Sequence, residues 1–80
     1  MLVPLYGFLK GDTLGLLVLC HDTDTVAEIA RKLQQAAAVR VPPRLRASVY
    51  HNGRLLAPAL TVAAAGLSAL ERVDVVPERE

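Results

Sequence analysis

Cys20 and His21 stand side by side, and a thiol next to an imidazole is the pair that a cysteine nucleophile needs. Adjacency works against them. In an extended run, consecutive side chains point to opposite faces, so the imidazole is turned away from the thiol proton. Asp22 and Asp24 follow His21, and an imidazole with two carboxylates is metal-ligating chemistry. The chain has neither a second histidine at i+3 or i+4 nor a Glu-x-x-His pair, the spacings that turn such groups toward one ion. His51 lies 30 positions from His21, Ser48 and Ser68 have no base at a fixed spacing, and no glycine-rich loop could cradle a phosphate. The residues therefore predict no catalytic, cofactor-binding or metal-binding set.

Recognition chemistry is better represented. Arg40, Arg44, Arg46 and Arg54 fall in a stretch without an acid, while the acids gather before and after it. Such a run is either a solvated basic face or a surface for an acidic partner. Arg and Tyr are enriched where interfaces hold most of their energy, so Arg44, Arg46, Tyr50 and Arg54 are the candidate partner-binding residues. Nucleic acid is a poor candidate for that partner. The net charge is only +1, and one Phe, two Tyr and no Trp leave little for bases to stack on.

Eighty residues predict one domain spanning 1–80, near the lower size limit for a self-sufficient core. Apolar residues make up 52% of the chain, a surplus for so small a unit, and imply a surface that something else covers. A solitary monomer is the alternative. One cysteine excludes an internal disulfide and fits a reducing cytoplasm. The Leu14–Cys20 run is too short to span a membrane. Nor does the first stretch read as a signal peptide: Lys10 and Asp12 interrupt it and no basic residue opens it.

The elements follow from period and punctuation. In Thr25–Ala38, apolar residues recur at Val26, Ile29, Ala30, Leu33 and Ala37, one helical face, with Glu28, Arg31, Lys32, Gln34 and Gln35 opposite. Thr25 and Glu28 have capping-box spacing, and Glu28 to Lys32 an i, i+4 charge pair. Leu2–Leu9 and Leu14–Cys20 read as a hairpin about Lys10–Thr13. The second strand is apolar throughout, which predicts that both its faces lie against something. Pro42-Pro43 closes the helical region, and Leu45–Tyr50 alternates as a third strand. Asn52-Gly53 is a turn into a short edge strand, Arg54–Leu56, limited by Pro58. Leu60–Val62 opens one helical turn capped by Gly66, with Leu67 tucked behind it. Val73–Val76 is the last strand and 77–80 a solvated tail. A right-handed crossover through the helix would set the first and last strands parallel at mid-sheet.

From Val41 onward the punctuation resembles ubiquitin: Val41-Pro42-Pro43, Ser48-Val49-Tyr50, Asn52-Gly53-Arg54, Leu55, Leu56, Leu60, Gly66-Leu67 and Val73–Val76. The resemblance implies an α+β class, a ubiquitin-like β-grasp with a mixed four- to five-stranded sheet packed on one main helix. The chain ends in Pro77-Glu78-Arg79-Glu80 where conjugated modifiers carry Gly-Gly, so conjugation through the C-terminus is not expected. Within this group the chain resembles the toluene-4-monooxygenase system protein B family, the hydroxylase gamma subunit. Arg40–Arg44, Leu60–Leu67 and Val73–Val76 carry that likeness, together with Pro4–Leu9, Leu14–Cys20 and Thr25–Glu28. It implies a non-catalytic, cofactor-free cytoplasmic subunit of a bacterial di-iron monooxygenase, packing on the large subunit that holds the iron, with no membrane partner. The ubiquitin-like accessory proteins of type VII secretion share the Pro-Pro-Arg step and the Gly66-Leu67 turn, and an adaptor of that kind is the alternative.

Overall fold

The computed structural model describes residues 1–78. Its elements are β1 (Leu2–Leu9), β2 (Gly15–His21), α1 (Val26–Ala36), β3 (Ala47–His51), β4 (Arg54–Leu56) and β5 (Arg72–Pro77). The five strands form one sheet in the order β2-β1-β5-β3-β4. β1 and β5 are parallel at its middle, as the crossover requires; the other pairs are antiparallel. This is the α+β β-grasp, with α1 across one face of the sheet.

The helix stripe is the centre of the core: Val26, Ile29, Leu33 and Ala37 are at most 1% exposed, against Leu5, Val49, Val73 and Val75 from the sheet. Burying a side chain of this size gains roughly 1.5–3 kcal/mol, so the stripe and its sheet partners are the main source of stability. Helix and sheet approach closely because Gly7 on β1 leaves room for Leu33: a Cβ at Gly7 would lie 2.9 Å from both Leu33 methyl carbons. Asn52 and Gly53, with φ of 52° and 76°, make the two-residue turn between β3 and β4. After β4, the Leu67 N–H donates to the Val62 carbonyl at 3.2 Å across Gly66 at φ 73°, closing the single turn with Val62 and Leu67 buried.

Several local expectations are corrected. The helix ends at Ala36, with Ala37 as its cap, and a turn through Arg40 leads to the two prolines. Only half of the capping box forms: Thr25 Oγ1 accepts the Glu28 N–H at 3.3 Å, while the Glu28 carboxylate turns to Arg31 at 2.7 Å. Lys32 binds Asp24, not Glu28. Gln34 is buried, not solvated, because its amide group bonds both the N–H and the carbonyl of Arg44 (2.8 and 3.2 Å), fixing the segment after the prolines. That anchored segment runs outside the sheet, so β3 begins at Ala47 and Leu45 is fully exposed. β5 extends through Pro77, and the Glu78 N–H donates to the Arg46 carbonyl at 2.9 Å. Pro77 and Glu78, expected in a solvated tail, are thus tied to the sheet and to Arg46; Arg79 and Glu80 lie outside the described residues.

Candidate partner-binding surfaces

The reactive side chains are engaged structurally. Cys20 points into the core with no exposure, and burial pushes its thiol pKa up; His21 next to it is exposed. Asp22 pairs with the N-terminal amine at 2.9 Å. His51 Nε2 meets Glu71 Oε2 at 3.1 Å, and Glu71 Oε1 accepts the Ser68 N–H at 2.8 Å, which together hold the Glu71 carboxyl below the usual range. Two strands separate His21 on β2 from His51 on β3. Among the described residues, no three His, Cys, Asp or Glu side chains come together as metal ligands.

Asp24 and Lys32 act on the β2 edge. Tyr6 donates its N–H to Glu71 just ahead of β5, so Val3, Leu5 and Gly7 direct their backbone groups toward β2. By the same alternation, Leu17, Leu19 and His21 direct theirs to the open edge. Asp24 Oδ2 accepts the His21 N–H at 2.9 Å, Lys32 Nζ donates to the Leu19 carbonyl at 3.1 Å, and the two side chains pair at 2.9 Å. The His21 N–H and then the lysine hold the Asp24 carboxyl low. An ion pair thus occupies backbone groups that an added strand would use.

The four candidate recognition residues do not converge. By register, Tyr50 lies on the outer face of the sheet with Ser48, since Ala47 and Val49 face the helix. Arg46 precedes β3, and Arg54 is at the tip of the β3–β4 hairpin opposite His51. Arg44 and Arg46 flank Leu45 on the rim of a groove of about 850 Å³ between α1 and the β3–β4 hairpin, lined by Ala27, Ala30, Leu55, Leu56 and Pro58. Arg40 is taken by Asp12, with two contacts of 2.9 Å to a carboxylate that is only 1% exposed.

The apolar surplus implied a surface for something else to cover without naming its residues, and the structure places such a surface on the outer face of β1 and β2. β2 is an edge strand and α1 covers only one sheet face, so Val18 and Cys20 are buried while Leu17 and Leu19 remain 55% and 54% exposed. The expectation that both faces of this strand are covered fails within the chain itself. Leu17 pairs with Tyr6 and Leu19 with Pro4, which places all four on the outer face, with Leu2 beside them. Phe8 on the same face lies over Gly15, where a Cβ would come within 2.6 Å of its ring, and Arg72 stacks on that ring at 4.1 Å. The signal was present in the sequence as leucines at both parities of the second strand.

The model of toluene-4-monooxygenase system protein B matches residues 2–76. The chain belongs to that family. A chain of a toluene 4-monooxygenase HD complex with the inhibitor 4-bromobenzoate superposes with a TM-score of 0.88 at 28% identity, covering 98% of this chain and 100% of that one. Ubiquitin of Caldiarchaeum subterraneum (TM-score 0.79, 16% identity, 100% and 98% covered) shares the fold. So does a ubiquitin-like domain of an Arabidopsis thaliana protein (0.76, 16%, 99% and 80%). No curated protein matches the sequence. This system protein B member thus keeps the ubiquitin-like frame and carries an open leucine face on the side of the sheet away from the helix.

Proposed function

We propose that this chain is a non-catalytic small subunit of a multicomponent monooxygenase, one ubiquitin-like unit that packs on the large hydroxylase subunit in a bacterial cytoplasm. The observation that carries the reading is the end-to-end correspondence with a chain of a toluene 4-monooxygenase complex, joined to the family match over residues 2–76. The extent matters here: the similarity spans all of that subunit and 98% of this chain. The internal chemistry supports the same role. Among the described residues no three His, Cys, Asp or Glu side chains come together as metal ligands, which agrees with a di-iron centre carried by the large subunit, as the family resemblance implies. No helix is long and apolar enough to cross a membrane.

Arg46, Arg54, Arg44 and Tyr50 contribute polar contacts at the margin of the interface, from the groove rim, the hairpin tip and the outer face. The test is co-expression with the large hydroxylase subunit encoded in the same gene cluster. The expected result is a stable complex that survives gel filtration, weakened by Arg46→Glu with Arg54→Glu. Independent elution of the two unmodified chains would refute the reading. A gene cluster holding a secretion ATPase in place of a di-iron oxygenase, a ferredoxin and a reductase would refute it as well.

A further inference from the structure

We infer that the outer face of β1–β2 is the surface held against the large subunit, face to face; the inference rests on the function proposed above. Leu2, Pro4, Tyr6, Leu17 and Leu19 form a two-stranded apolar surface whose cross-strand pairs are set by the register. Leu2, Tyr6, Leu17 and Leu19 are each 46–55% exposed, on a β1 backbone that pairs with β2 from Leu2 onward and also with β5 from Tyr6 onward. No Asp, Glu, Lys or Arg stands inside this patch, and the exposed His21 lies opposite Leu2 at its corner. At its margin Arg72 is already satisfied, stacked on Phe8 and bound to Asp74 at 2.9 and 3.2 Å, so no unpaired charge would be buried there. Depletion of charge around Tyr and Leu is the composition of the desolvated centre of a permanent interface, and it is unsuited to a surface that must be wet between encounters.

Size selects the occupant. Four such side chains, about half exposed, with the partly buried Pro4 between them, present on the order of 400 Å² of apolar surface. Two copies matched patch to patch would bury about 800 Å² in total, the scale of a lattice contact, whereas a stable complex buries about 800 Å² on each partner. The occupant must therefore reach beyond the patch onto neighbouring strands, where Ser48, Tyr50 and Val76 continue the same face. A subunit larger than this chain can do that. The edge, by contrast, offers an added strand less than a full ladder, because Asp24 and Lys32 hold the outward His21 N–H and Leu19 carbonyl at one end of it.

The test compares the unmodified chain, the outer-face variant Leu17→Ser with Leu19→Ser, and the groove variant Leu45→Ser with Leu55→Ser, each co-expressed with the large subunit. Circular dichroism on the isolated variants confirms folding, which is expected because the replaced side chains are half exposed or more. The outer-face variant should lower recovery of the complex by about tenfold or more, equivalent to at least about 1.4 kcal/mol, and the groove variant should leave it near the unmodified level. Undiminished recovery with the outer-face variant overturns this inference while leaving the subunit reading intact. So does a homodimer of the isolated chain that the same variant dissolves. Failure of the unmodified chain to bind the large subunit removes the subunit reading itself, and this inference with it.

Discussion

Replacing Gly7 with alanine probes the closest approach of helix to sheet. A Cβ at this position would meet both Leu33 methyl carbons at 2.9 Å and Val18 Cγ2 at 3.2 Å. Leu33 has no exposed surface and Val18 only 5%, so neither side chain has open space to move into. Overpacking of this kind costs about 1–3 kcal/mol. Alanine also restricts the unfolded chain, which offsets about 0.4–1 kcal/mol of that cost. The expected net loss is about 1–2 kcal/mol, or a midpoint lower by roughly 5–15 °C for a domain of this size. The informative measurement is a double-mutant cycle with Leu33→Ala, by urea denaturation followed by circular dichroism. Leu33→Ala alone should cost about 2–5 kcal/mol through its cavity. With the leucine gone, the alanine methyl fills part of that cavity, and Gly7→Ala should become neutral or stabilise by up to about 1 kcal/mol. A change of sign between the two backgrounds is the signature of direct contact. The same loss in both would refute the packing described for Gly7 and Leu33.

Other outcomes follow from individual contacts. Asp12, Asp22, Asp24 and Glu71 are all held below their usual pKa, Asp12 chiefly by Arg40. Near pH 4 the unfolded chain therefore binds more protons than the native one. Their contribution should be complete above about pH 5 and lost as pH falls through the lowered values, and Asp12→Asn should flatten that acid limb in a denaturation series. Gly53→Ala forces a side chain into φ 76° with no neighbour within 4 Å, so it should cost about 1 kcal/mol from backbone strain alone, read from the urea midpoint. Removing the edge clamp with Asp24→Asn and Lys32→Met should produce concentration-dependent association in sedimentation velocity; a monomer at every concentration would count against its guarding role.

The succession of strands along the chain, the main helix, the Asn52-Gly53 turn, the Gly66 stop and the family were all readable in the amino-acid sequence. Each is written within a few neighbouring residues, by periodicity, by caps or by residues that tolerate positive φ. Glu28 choosing Arg31 over Lys32, and Gln34 turning inward to Arg44, were not, because each depends on a group brought near only after folding. The recognition surface divides in the same way. Arg44, Arg46, Tyr50 and Arg54 could be named as interface types, but their spread over the groove rim, the outer face and the hairpin tip follows from register and loop path. Leu17 and Leu19 were visible as part of an apolar run. That they are open to a partner was decided by the strand order alone: β2 ends the sheet, one helix can cover only one face, and half of the strand's side chains are left outside.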